Sequence, residues 1–129
     1  MCGIFGVIPN KNITSTQLHD ITNHLLIQSS SRGKDASGIA VSTPSEIIIY
    51  KDSLPPKKFI KTNHYKNIFH NNCIQSIIGQ ARMETNGSFD NGYNNQPVVK
   101  DKVITVHNGI VVNDSQIWST NHDLKRNYQ

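Results

Sequence analysis

The chain is poor in sulfur: only Cys2 and Cys73 occur among its 129 residues. One disulfide is the most they can form. The N-terminus also lacks a basic region leading into a long apolar stretch, so no secretory signal is read and reduced thiols are expected. Long apolar runs are missing throughout, and none approaches the roughly 18 residues needed to cross a bilayer. No membrane association is expected, and a cytoplasmic location follows by default. Aromatic residues do not recur at strand spacing beside the lysine cluster Lys57, Lys58 and Lys61. The net charge of +4 therefore reads as solvated lysines and not as a nucleic-acid surface, which would need stacking platforms. The six histidines form no pair at metal-ligand spacing, and His64 and His70 lie too far apart for one helical turn. No metal and no cofactor is expected. Repeats and low-complexity tracts are absent as well.

What remains is an ordinary globular composition, 36% hydrophobic, in a chain long enough for a single domain over residues 1–129. The apolar start reads as a strand, followed by turn chemistry at Pro9-Asn10-Lys11-Asn12. A cap at Thr14, Ser15 or Thr16 opens a helix to about Gln28, with Leu18, Ile21, Leu25 and Leu26 on its core face. Residues 29–38 read as a small polar loop. Strands over Ile39–Ser42 and Glu46–Tyr50 follow, joined at Thr43-Pro44-Ser45. After Leu54-Pro55-Pro56 comes a short helix or irregular stretch to Asn71, then a strand from Cys73 to Ala81. A long polar loop runs from Arg82 to Gln96, and loops of that length usually carry function or lack order. Val98-Val99 and Val103–Val106 read as a hairpin turning at Lys100-Asp101. Asn113 or Asp114 caps a last helix carrying Ile117, Trp118 and Leu124. The pattern is mixed α and β, with antiparallel strand pairs.

Met1-Cys2-Gly3-Ile4-Phe5-Gly6 is the stretch that draws attention first. Once Met1 is cut off, Cys2 carries a thiol and a free α-amine together. Such an amine titrates at about 7.7–8.0, so nucleophile and base share one residue. The simpler reading of a cysteine is a buried small hydrophobe, but nothing about a core thiol favours position two.

Three other places bear on chemistry. His107-Asn108-Gly109 closes a strand, and taken alone a sharp turn is the simpler account. The functional account is that the Asn108 amide and the Gly109 N–H converge as an oxyanion hole. Arg82 ends a strand and opens the long loop, where its guanidinium is able to meet a carboxylate bidentately or simply be solvated. Arg32, before Gly33, is open in the same way. Cys73 has no base beside it in sequence and begins an apolar strand, so it reads as structural.

Taken together and in this order, four stretches carry a resemblance. Met1-Cys2-Gly3-Ile4-Phe5-Gly6, Arg32-Gly33-Lys34-Asp35-Ala36-Ser37-Gly38, Arg82-Met83-Glu84-Thr85-Asn86-Gly87 and His107-Asn108-Gly109 resemble the class II glutamine amidotransferases. These are the glutaminase domains with an N-terminal nucleophile found in glucosamine-6-phosphate synthase, amidophosphoribosyltransferase and asparagine synthetase. Asn95-Gln96-Pro97 resembles the family's lead into the next strand.

The resemblance implies an α+β fold, a four-layer αββα sandwich of the N-terminal nucleophile hydrolase type. It implies hydrolysis of the glutamine side-chain amide through a Cys2 thioester, giving glutamate and ammonia. Cys2 would be the nucleophile and Asn108 with Gly109 the oxyanion hole. Arg82 would grip the substrate α-carboxylate, with Thr85 and Asn86 beside it and Arg32 in support. The substrate partner is glutamine, and a synthase domain or chain would accept the ammonia. Met83 stands where many relatives have a large aromatic, Asn86 where sugar-aminating relatives have His, and Gln80 where His is more usual. The family's acid for the substrate amino group lies beyond the final helix, so the sandwich is expected to be incomplete at its C-terminal end. Exposed edges would then favour pairing with another chain, a homo-oligomer included. Two competing expectations are a catalytically inactive fragment or pseudoenzyme that only binds glutamine, and an N-terminal nucleophile acting on another amide.

Overall fold

The computed structural model describes residues 1–70, 73–84, 94–101 and 103–123. Four strands form an antiparallel sheet in the order β1-β4-β2-β3, built from β1 (Gly3–Val7), β2 (Ala36–Ser42), β3 (Ile47–Asp52) and β4 (Ser76–Arg82). A separate two-stranded ribbon pairs β5 (Val98–Lys100) with β6 (Val103–Thr105). The helices among the described residues are α1 (Ser15–Ser29), α2 (Pro56–Phe59), α3 (Asn63–Ile68) and α4 (Asp114–Thr120). The protein is therefore mixed α+β.

Strand alternation gives the sheet two unlike faces. Phe5, Ile39, Val41, Tyr50, Ile77 and Ala81 fall on one face by register, and all belong to or border the hydrophobic core. Helix α1 packs there against β1 and β4, α2 against β2 and α3 against β3. Leu26, Phe59 and Tyr65 are fully buried, and each such side chain stabilises the fold by about 1.5–3 kcal/mol. Tyr50 stacks on Phe59 at 4.5 Å and on His64 at 4.3 Å between ring centroids. The opposite face carries Gly38, Ala40, Lys51, Gln80 and Arg82. Ile4, Ile49 and Ile78 share this face, and the glycine and alanine among them leave room for a covering segment.

Helix α1 starts where the sequence places it. Thr14 accepts from the Gln17 N–H at 3.2 Å, and the Gln17 side chain accepts from the Thr14 N–H at 2.9 Å, a complete capping box. Its core face differs from expectation. Ile21 is 43% exposed, while Thr22 is fully buried and donates its hydroxyl to Leu18 O at 2.8 Å. That back-bond offsets the desolvation cost of burying the Thr22 hydroxyl.

Three further differences concern boundaries. Strand β2 begins at Ala36, inside the stretch expected as loop, because residues 36–38 pair with Arg82, Ala81 and Gln80 of β4. Cys73 neither begins a strand nor is buried, since β4 starts at Ser76 and the thiol is exposed. The stretch after Pro55 resolves into two short helices, α2 capped by prolines and α3 capped by Thr62. Asn113 occupies the cap position of α4, as expected, without a side-chain cap bond. Leu124 lies outside the described residues.

Candidate active site

The site is built at the end of β4. Gly33 packs so tightly there that an added Cβ would stand 2.3 Å from Ala81 O, so only glycine allows this approach. The Asp35 N–H donates to Arg82 O at 3.0 Å, and the Asp35 carboxylate accepts from the Glu84 N–H at 2.8 Å. The Arg32–Gly38 stretch thus braces the strand end that delivers Arg82 and Met83.

Met83 brackets the nucleophile candidate. Its N–H donates to Cys2 Sγ at 3.4 Å, and its carbonyl lies 3.5 Å from the same sulfur. The Cys2 N–H donates to Asn108 Oδ1 at 3.0 Å. A peptide N–H only donates, so Asn108 must present its oxygen here, leaving its NH2 group to donate elsewhere. Cys2, Arg82 and Gly109 line a common cavity of about 340 Å³, together with Met83, Gln96 and Asp114. That volume lies in the range of small-molecule sites.

Arg82 is buried, with 6% of its surface exposed, and its Nη1 donates to Asn95 Oδ1 at 2.8 Å. A guanidinium carries five donors, and Arg82 reaches the cavity wall as well as Asn95. Asn95 is itself fully buried, its carbonyl accepting from Lys51 Nζ at 2.8 Å and its Nδ2 donating to Ser53 Oγ at 3.3 Å. Burial pushes the Lys51 ammonium below its ordinary 10.5. One residue on, the Gln96 backbone crosses Gly38 so closely that a Cβ there would stand 2.0 Å from Gln96 O. The Asn95–Gln96 segment is anchored on the sheet at this point.

Arg32 does not line the cavity. It is exposed, and its Nη2 reaches Met1 Sδ at 3.5 Å, while the Met1 amine reaches Met83 Sδ at 3.2 Å. Thr85 and Asn86 lie outside the described residues. The imidazole of His107 lies over Gly109, with its Nε2 2.9 Å from where a Cβ would stand. The backbone here is not left-handed, and the crowding an added Cβ would meet comes from the His107 ring, the end of a movable side chain. Among the described residues no group of His, Cys, Asp or Glu suits a metal ion, and no helix is long and apolar enough to cross a membrane.

The chain is similar to a synthase. The 7-cyano-7-deazaguanine synthase of Sulfolobus acidocaldarius is 27% identical over 124 residues, an alignment that takes in 91% of this chain and 26% of that protein. The chain thus spans about a quarter of the length of the curated relative it matches. No protein-family model matches it, and no solved structure does.

Two contributors to the site had no clear signal in the sequence. Asp114 reads as a helix cap, yet as the first residue of α4 it lines the cavity opposite in charge to Arg82. Gln80 reads only as a substitution for histidine. It is 1% exposed, and its Nε2 donates to His107 O at 2.8 Å and to Gln96 Oε1 at 3.0 Å. Gln96 completes that cluster, as its Oε1 accepts from the His107 N–H and its Nε2 donates to His107 O at 3.2 Å. The cue for Gln96 was its place at the end of the long polar loop, in the stretch Asn95-Gln96-Pro97.

Proposed function

We propose that the chain is a glutaminase domain of the class II glutamine amidotransferase type, releasing ammonia from the glutamine side chain. The observation that carries this reading is the hydrogen bond from the Cys2 N–H to Asn108 Oδ1, which joins the N-terminal thiol to the turn beyond β6. Loss of Met1, which is 71% exposed, turns that amide nitrogen into the α-amine of Cys2. The amine takes the thiol proton as sulfur attacks the amide carbon. The Asn108 NH2 and the Gly109 N–H donate to the oxyanion that forms. The amine then passes its proton to the leaving nitrogen, ammonia departs, and water cleaves the thioester to glutamate. Arg82 and Asp114 give the cavity one cationic and one anionic wall, which suits a zwitterionic amino acid.

The layering supports the αββα sandwich that the resemblance implies. Helices cover one face of the sheet, and the segment from Asn95 to β6 starts a second layer on the other. The relative's being a synthase about four times the matched length supports an enzymatic role inside a larger assembly, with the ammonia acceptor supplied by a synthase domain or chain.

The test combines three measurements: the intact mass, ammonia release from glutamine, and labelling of Cys2 by a glutamine-like diazoketone. A mass lacking Met1, turnover, and one adduct on Cys2 are expected. Retention of Met1 throughout would sink the mechanism. Glutamine binding in a thermal-shift assay without turnover would instead favour a scaffold that only binds the amino acid.

A further inference from the structure

Three side-chain and backbone groups meet beside the oxyanion turn, and their orientations are forced in sequence. The His107 N–H only donates, so Gln96 must present Oε1 to it and thereby turns its NH2 group to His107 O. Gln80 then faces two acceptors, Gln96 Oε1 and His107 O, and must present its NH2 group to both. The consequence is that Gln80 Oε1 is buried without a hydrogen-bond partner among the described residues. A buried amide with an unmet oxygen is costly in any core, and a leucine would fill the same space without that cost. Gln80 sits on the interior strand β4, and Gln96 is tethered over Gly38 by its own backbone. Both supports are therefore rigid, while His107 follows β6 with no ladder bond of its own.

We propose that Gln80 and Gln96 form an amide clamp on the His107 peptide that aims Asn108 and the Gly109 N–H at the oxyanion. They are positioning residues: Gln80 does not line the cavity, and Gln96 acts through the peptide it holds. The inference rests on the glutaminase reading above. A donor placed before charge develops helps only the transition state, so a loosened clamp lowers kcat and leaves glutamine affinity alone. Q80L removes the donors and the unmet oxygen together. Q96E keeps the acceptor for the His107 N–H but sets a carboxylate against His107 O, and its protonated form restores the missing donor.

The experiment uses the full chain carrying C73S, so that Cys2 is the single thiol. Four readouts are taken for the parent, Q80L and Q96E. These are kcat and KM for glutamine, alkylation of Cys2 by iodoacetamide, thermal midpoint, and amide exchange at His107 by NMR. Iodoacetamide reacts by displacement and forms no oxyanion, so it reports the thiol alone. Expected for both variants is a kcat at least about tenfold lower, and for Q80L, which lies outside the cavity lining, KM and alkylation rate stay within about twofold. The ratio of Q96E to parent kcat is expected to rise as pH falls from about 8 towards the ordinary glutamate value of about 4.3. Faster exchange at His107 is expected in both. Unchanged kcat overturns the proposal, and so does a parallel loss of kcat, affinity, alkylation and thermal midpoint, which would mark a merely structural pair. Should the parent release no ammonia, the glutaminase reading fails. The clamp is then decided by exchange alone, and an unaltered His107 amide in Q80L and Q96E overturns it.

Discussion

The N–H of Cys2 and the side-chain oxygen of Asn108 lie 3.0 Å apart although 106 residues separate them in sequence. Neither residue sits in a regular element. Cys2 precedes β1, and Asn108 follows β6. Their meeting depends on the sheet bringing β1 beside β4 and on the His107 segment lying against Gln80 of β4.

Replacing Asn108 by alanine removes the donor while leaving Cys2 in place. The expected outcome is a fall in kcat of about a hundred- to a thousandfold, the usual loss for one oxyanion donor. Stability should fall by only about 1 kcal/mol, the share of the lost Cys2 hydrogen bond. Steady-state ammonia release and urea unfolding measure the two effects separately.

Asp114 tests the zwitterion argument. D114N is expected to raise KM for glutamine by about ten- to a hundredfold, as loss of a charged hydrogen bond does. An amide substrate of the same length without the α-amino group provides the control. Its KM should not change, and an equal rise for both substrates would remove Asp114 from amino-group recognition.

Gly38 tests how the second layer is seated. G38A places a methyl group against the Gln96 carbonyl, with the Lys51 Cβ 2.8 Å away. The expected loss is about 1–3 kcal/mol, read as a lower urea midpoint at constant slope. Activity should fall further than stability explains, because the displaced segment also carries the glutamine that holds His107.

Tyr65 sets the alkaline limit. It is fully buried, its hydroxyl donates to Asn23 Oδ1 at 2.8 Å, and burial raises its pKa well above the ordinary 10.0. The unfolded chain therefore releases this proton first, and the folded chain binds more protons above pH 10.0. Stability from Tyr65 is full below that value and declines as pH rises beyond it. Tyr50 acts in the same direction. Lys51 has the opposite sign, its lowered pKa making stability rise as pH climbs towards 10.5. Y65F should lower stability near neutrality by about 1 kcal/mol and flatten the alkaline decline in unfolding measured from pH 8 to pH 11.

The parts legible in the sequence were those with a local or periodic cause. The capping box at Thr14 and Gln17, the hairpin at Val98 and Val103, and the strand ending at Arg82 all follow from neighbours in sequence. The misplaced parts were settled by hydrogen-bond partners that the apolar pattern does not show, one near in sequence and one far. Thr22 enters the core because Leu18 O satisfies its hydroxyl, and Ala36 joins β2 because Arg82 is there to pair with it. The site shows the same division. Cys2, Arg82 and Gly109 were visible by residue type and position, and they line one cavity. The roles of Gln80, Gln96 and Asp114 are contacts across the fold and leave no period to read.

Separation along the chain also has a consequence in time. A ribosome adds ~5–20 residues per second, so the 106 residues between Cys2 and Asn108 take roughly 5–20 s to make. For that interval the chain end has no Asn108 to bind and remains open to processing. Any trimming of Met1 is therefore expected on the nascent chain, ahead of the fold in which a retained Met1 lies against Met83 and Arg32.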